Sequence, residues 1–264
     1  MPTLRFVTYL APNMRPVYEF IAHAVAQRLG VETELFVGEA YEELVDGRAQ
    51  AGFICGSPYT QLVQRFPNTV EPLAAPVLKG ERFAGRPVYF SDVIVRRDAP
   101  FTRFEDLRGQ AWAYNEPSSQ SGYNLTIVSL LRRGLGPGFF GKAVQSGAHQ
   151  NSIQMVVKGE VDGSAIDCQV LMVEMRARPE LAEQIKVIDV FGPSTIQPLA
   201  VSTALPESLR SEIRALVTEL HHEPAARKVF EHGFIEQWVA VNDASYDDIR
   251  QMWAEREAAR FHAL

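Results

Sequence analysis

Apolar and polar positions along the chain follow two alternating rhythms. LRFVTYL, residues 4–10, has the β-branched and aromatic density of a strand. After the Pro12-Asn13 turn, PVYEFIAHAVAQRLG repeats its apolar positions at helical spacing as far as Gly30. VETELFVG reads as a second strand, YEELVDGR as a short helix and turn, and AGFICG as a third, buried strand. SPYTQLVQRF opens another helix, with Ser57 suited to its cap and Pro58 to its first turn. PVYFSDVIVRR, residues 87–97, is extended. The rhythm then restarts with strand AWAYN, helix YNLTIVSLLRR, strand AVQSG and helix QNSIQMVVKGE, followed by VDGSAIDCQVLMVEM, a strand passing into a helix. QIKVIDVFGPS and IQPLAVSTALP are again extended. ESLRSEIRALVTELHH, PAARKVFEHG and YDDIRQMWAEREAARF give a helical remainder.

Such strand–helix alternation predicts largely parallel sheets covered by helices, an α/β fold. The pattern appears twice. Either one doubly wound domain or two lobes with crossings near residues 88–96 and 187–201 accounts for it. In the second layout, helix N-termini face a cleft between lobes.

A chain of 264 residues, 46% hydrophobic and 22% charged, has the material for a large core. It has no apolar run of transmembrane length. The start, MPTLRFVTYLAPNMRP, lacks the pattern of a secretory leader, which leaves two options: a cytoplasmic protein, or an exported one whose leader is absent from this sequence. The formal charge of -6 and the isolated basic pairs Arg96-Arg97 and Arg132-Arg133 exclude a general nucleic-acid surface. Cys55 and Cys168 sit in apolar runs with no metal-ligand spacing, so they read as buried thiols; no metal and no cofactor is expected. His221-His222 and His232 read as surface residues of C-terminal helices. The chain also lacks GxSxG, P-loop and dinucleotide motifs, which points to a binder rather than an enzyme.

The segment NEPSSQSGYN, residues 115–124, lies between a strand and a helix. Its Ser118, Ser119 and Ser121 place three hydroxyls at a helix mouth, where unpaired N–H groups form an anion-binding concavity and Gly122 permits close backbone approach. One serine would serve as a cap; three suggest a bound oxyanion. His149, in SGAHQNSIQ, again follows a strand and a small-residue turn and again opens a helix, where a neutral imidazole is favoured. Asp167 ends the apolar GSAID strand. It reads equally well as a cap for the next helix or as a site carboxylate that accepts from a protonated ligand oxygen or orients His149. Tyr9, Tyr59 and Tyr89 complete the set as packing residues or pocket walls, and Asp92 would meet a ligand's positive end or satisfy backbone.

YFSDVIVRRD, EPSSQSGYN and QSGAHQNSIQMVVKGEVDGSAID together resemble the phosphate/phosphite/phosphonate-binding proteins of ABC importers, over about residues 3 to 240. The resemblance implies a two-lobed type II periplasmic-binding fold, each lobe a doubly wound mixed sheet flanked by helices. Lobe 1 would comprise residues 1–90 and 195–264, and lobe 2 residues 95–190. It further implies that Ser118, Ser119, Ser121 and His149 clasp a small tetrahedral oxyanion, that Tyr89 closes over it, and that Tyr59 and Asp167 line the pocket. Ile196 and Gln197 stand where members binding an aminoalkyl phosphonate carry an acid, so an amine-bearing ligand is disfavoured. Capture by hinge closure without chemistry would follow, in a periplasmic or extracellular monomer that feeds an ABC permease or signals to a membrane sensor. The competing class is a cytoplasmic enzyme on the same scaffold, of the menaquinone-pathway or pyrimidine-precursor type.

Overall fold

A computed structural model describes residues 3–264. Residues 1 and 2, the first of the expected lobe 1, lie outside the described residues. In chain order the elements begin with β1 (Leu4–Thr8), α1 (Arg15–Leu29), β2 (Thr33–Val37), β3 (Ala51–Phe53), α2 (Gly56–Arg65) and β4 (Val70–Leu78). There follow β5 (Val88–Arg96), β6 (Ala111–Tyr114), α3 (Leu125–Arg132), β7 (Lys142–Gln145), α4 (His149–Lys158), β8 (Gly163–Asp167) and α5 (Cys168–Ala177). The chain ends with α6 (Leu181–Gln184), β9 (Ile185–Thr195), β10 (Leu199–Ser202), α7 (Glu207–Glu219), α8 (Pro224–His232), β11 (Ile235–Ala240) and α9 (Asp247–Ala258).

Two units result, each a mixed sheet flanked by helices. Residues up to Val88 join Thr195–Asp247 in unit 1, and Tyr89–Ser194 join Asp248–Leu264 in unit 2. The division corrects one expectation: the segment from Asp248 to the C-terminus belongs to the second unit, not the first. Its apolar residues explain why, since Met252 and Phe261 are buried in the core of unit 2.

Unit 1 carries a six-stranded sheet in the order β11-β4-β10-β3-β1-β2. β1 pairs in parallel with β2 and β3, whereas β10 runs antiparallel to its neighbours. α1 has Val17, Tyr18, Ile21, Ala22 and Val25 buried at helical spacing and ends on Gly30, whose left-handed φ of 63° suits a residue without Cβ. Tyr18 stacks on Phe53 at 4.2 Å, and Trp238 packs edge-on against the same ring at 6.2 Å.

Two strands here were not expected from the sequence. β4 contains Pro72 and Pro76, which cannot donate to a ladder, and its pairings with β10 and with β11 each carry a register shift. β11 falls where a helical remainder was expected. The shift between Ile235 and Gln237 leaves Ile235 and Trp238 both buried, three residues apart, which imitates the helical period. Ser57 also departs from expectation: α2 begins at Gly56 with Cys55 at its N-cap position, so Ser57 lies inside the helix.

Unit 2 carries a five-stranded sheet in the order β7-β6-β8-β5-β9. β6 is parallel to both β7 and β8, and β5 runs antiparallel to β8. Successive strand residues go to opposite faces, as a period of two requires. Val93, Trp112 and Ala165 join one apolar cluster with α3 and the C-terminal segment, while Ile94, Ala113 and Ile166 join the other with α4 and α5. Trp112 is fully buried, stacked on Phe140 at 4.6 Å and edge-on to Phe104 at 5.9 Å. Trp112→Ala is expected to cost about 3–5 kcal/mol of unfolding free energy, read by urea denaturation; a loss below about 1 kcal/mol would show that this cluster does not hold the sheet.

Candidate functional site

The topology of unit 2 decides which loops meet. β6 and β7 are parallel neighbours with Tyr114 opposite Gln145, so the loops leaving their C-terminal ends emerge side by side. Two further bonds strap those loops together: Ser146 N–H donates to Tyr114 O at 2.8 Å and Gly147 N–H to Asn115 O at 2.9 Å. The chain after β6 goes to one neighbour, β7, while β8 lies on the other side of β6. The edge beside β6 is therefore the point where strand order reverses, a usual ligand position in open α/β sheets.

The serine loop forms a turn of unusual geometry there. Ser119, extended at φ -65° and ψ 131°, caps a π-helical turn spanning Gln120–Asn124 that runs into α3. Its hydroxyl accepts from Gly122 N–H at 3.1 Å, and Asn124 N–H donates five residues back to Ser119 O at 3.0 Å. Single π turns are rare and concentrate at functional sites. Gly122 is closely approached: a Cβ there would lie 2.0 Å from Asn115 Oδ1 and 3.2 Å from His149 Cε1, so a side chain would displace Asn115. From β5, Ser91 donates its hydroxyl to Ser121 O at 2.9 Å and pins the middle of the turn.

His149 is the first residue of α4 and is 7% exposed. Its Nε2 lies 3.0 Å from Ser121 Oγ, whereas Nδ1 is buried and has no hydrogen-bond partner among the described residues. Burial alone lowers its pKa to about 4, so the ring is neutral at physiological pH. A buried N–H without an acceptor forfeits a donor bond, so the proton belongs on Nε2, donating to Ser121 Oγ. The consequence for the serines is direct. Ser119 Oγ accepts from a backbone N–H and Ser121 Oγ accepts from an imidazole N–H, so both keep their own O–H protons to donate elsewhere. The two helix mouths singled out in the sequence thus converge.

The other expected residues fall into three places. Ser118 is half-buried and hydrogen bonds to the Glu116 carboxyl, whose pKa is raised by burial and partly restored by that bond. Asp167 caps α5, its Oδ1 accepting from Gln169 N–H at 2.8 Å and Val170 N–H at 3.3 Å. Of its two sequence readings the structure displays the cap, and Asp167 does not orient His149, whose bonded nitrogen faces Ser121. Tyr89 is buried at the start of β5, two residues before Ser91, and Asp92 is buried in the same strand.

Tyr9 and Tyr59 belong to unit 1, where both hydroxyls are engaged. Tyr9 donates to Ala40 O at 2.9 Å and approaches Glu43 Oε2 at 3.1 Å; burial, then the Glu43 charge, hold its phenol above the ordinary tyrosine range. Tyr59 is fully buried, donates to Asp243 Oδ1 at 2.7 Å and packs its ring on Tyr246 at 5.0 Å. Among the described residues no group of His, Cys, Asp and Glu is arranged to hold a metal ion.

Sequence reasoning passed over residues that build the site from behind. Gln120 and Asn124 are fully buried and joined at 2.7 Å, an i,i+4 amide pair visible in QSGYN once the turn is read as helical. Ser146, whose hydroxyl meets Ser152 at 2.6 Å, stands in the quoted QSGAHQNS. Arg256, 132 residues further along, left no local signal.

Residues 7–246 match a family model described as an ABC transporter, phosphonate, periplasmic substrate-binding protein. The phosphonates-binding periplasmic protein of Escherichia coli (strain K12) is 22% identical over 252 residues, covering 91% of this chain and 72% of that protein. A binding protein component of an ABC phosphonate transporter from Pseudomonas aeruginosa superposes with a TM-score of 0.84 at 19% identity, over 98% of this chain and 88% of that one. A Prochlorococcus marinus (MIT 9301) protein in complex with methylphosphonate superposes with a TM-score of 0.81 at 13% identity, over 97% and 98% of the two chains. With nearly all of its length inside the family match, this chain belongs to the periplasmic substrate-binding proteins of the phosphonate ABC-transporter type.

Proposed function

We propose that this binding protein captures a small tetrahedral oxyanion (phosphate, phosphite or a simple phosphonate) on the donors of the π turn in unit 2. Unit 1 then closes by hinge motion, and the loaded protein feeds an ABC permease from the periplasmic side. The observation that carries the reading is the Ser121–His149 contact at 3.0 Å, which leaves a serine O–H free to donate beside a glycine-lined turn. Ser119, capping the turn through Gly122 N–H, supplies a second such hydroxyl. All these donors are neutral, so they recognise an ionised ligand through dipoles rather than through an ion pair. The Ser118 hydroxyl and Tyr89, the second residue of β5, are proposed as outer contributors, and Tyr9, Tyr59 and Asp167 as the walls and caps that hold their loops.

A simple ligand without an amine fits the return segment. Ile196 is fully buried, with its carbonyl taken by the Tyr246 hydroxyl at 3.1 Å, and Gln197 follows it; neither offers a carboxylate to an ammonium. Capture needs no bond-making, and the family is one of non-catalytic binders.

Hydrogen bonds to a charged partner contribute about 1.5–3 kcal/mol each. Ser119→Ala should therefore weaken phosphate, phosphite or methylphosphonate by roughly 10-fold to 150-fold in calorimetric titrations. It should cost only about 1 kcal/mol of stability through the lost cap. Affinity unchanged for all three ligands would remove the turn from the binding site. Small-angle scattering adds a check on closure: the radius of gyration should fall when ligand is added.

The His149 shift gives a separate expectation. Its folded pKa of about 4 lies below the unfolded value near 6.5, so the unfolded chain takes up the proton first as pH falls. Stability from this group is therefore full above pH 6.5 and is lost progressively down to pH 4, by about 3 kcal/mol. Urea unfolding at several pH values should show that slope in the native sequence and a flatter one in His149→Gln. Parallel slopes would mean the imidazole is not held neutral by burial.

A further inference from the structure

A buried cation lies directly behind the serine turn, supplied by the C-terminal helix. Arg256, in α9, is 3% exposed. Its Nη1 donates to Asn124 Oδ1 at 2.9 Å and its Nη2 to His262 O at 3.4 Å. Its guanidinium lies over the rings of Trp253 at 4.1 Å and Tyr123 at 5.6 Å. Among the described residues no carboxylate lies within ion-pair distance of it, and the Glu257 charge acts on it only from further away, although α9 does use an ordinary ion pair one residue earlier, where Glu255 holds Arg132 at 2.9 Å through two bonds.

The guanidinium connects to the turn through a relay of amides. Asn124, the last residue of the π turn, passes its Nδ2–H to Gln120 Oε1 at 2.7 Å. Gln120, the first residue, donates to Ser194 Oγ at 3.0 Å and to Met252 Sδ at 3.1 Å. Ser194 in turn donates to Asp248 Oδ2 at 3.3 Å. α9 therefore grips both ends of the turn, with Asp248 at one end of the relay and Arg256 at the other. Each amide has its orientation set by the next, so Asn124 Oδ1 must face the cation.

A charge taken out of water without a counterion is unfavourable unless something repays it. Cation–π contacts and two neutral acceptors repay part. We propose that the missing counterion is the bound oxyanion, and that Arg256 is a positioning residue that holds the π turn and supplies its positive potential without touching the ligand. The inference rests on the oxyanion reading given above. It assigns to the C-terminal helix a determinant of affinity that the serine and histidine donors do not contain.

The test separates charge from packing. Calorimetry with inorganic phosphate is run on the native protein, Arg256→Met, which keeps an apolar stem, and Arg256→Lys, which keeps the charge. Thermal unfolding is followed in the absence of phosphate. Arg256→Met should weaken phosphate at least tenfold while leaving the melting temperature of the ligand-free protein unchanged or higher, because an unpaired buried charge has been removed. Arg256→Lys should recover most of the affinity. A purely structural arginine would give the opposite sign, with a lower melting temperature and no rescue by lysine. Asn124→Asp gives an independent arm: a carboxylate beside Arg256 supplies an internal counterion, so phosphate affinity should again fall at least tenfold in a folded protein. Phosphate affinity within twofold of native in Arg256→Met, or in Asn124→Asp, overturns the inference and leaves the oxyanion reading standing. A native protein that binds neither phosphate nor methylphosphonate overturns the oxyanion reading itself.

Discussion

The hydrogen bond between Ser121 and His149 governs how the rest of unit 2 has to be built. A neutral imidazole whose proton is spent on a serine oxygen leaves the serine's own proton to point away. That arrangement survives only while the ring stays uncharged and the two loops stay in register. Burial secures the first condition. The parallel pairing of β6 with β7, and the loop-to-loop bonds at Ser146 and Gly147, secure the second.

Seen from the sheet, the same bond explains several residue choices that look arbitrary one at a time. Gly122 has no side chain because Asn115 and the imidazole already occupy its space. Ser91 carries a hydroxyl because the carbonyl of Ser121 needs a donor. Asp167, opposite Ser91 in the β5–β8 ladder, spends its Oδ1 on starting α5.

Much of this was legible in the sequence, and the exceptions have physical causes. The serine turn and the His149 helix start were visible because small residues and hydroxyls between an apolar strand and an amphipathic helix have few other uses. Their convergence followed from the resemblance and from the alternation of strands and helices. β4 was hidden by Pro72 and Pro76, which ladders usually exclude, and β11 by a bulge that gives a strand the burial spacing of a helix. The attachment of the C-terminal segment to unit 2 was illegible for a different reason: Met252, Arg256 and Phe261 show helical amphipathicity but not which surface they cover. Arg256 illustrates the limit, since nothing near it in sequence names Asn124 as its partner.

The π turn carries a last implication. Such a turn accommodates one residue more than an α-helix would over the same rise, and successive helical residues are rotated by about 100° from one another. Losing a single residue between Gln120 and Asn124 would let α3 run straight through to its cap, swinging the Ser121 hydroxyl round the helix axis and away from the imidazole. The loop is thus specified by its length as strictly as by its composition. Insertions and deletions, which surface loops ordinarily absorb, are the changes this one is least able to tolerate.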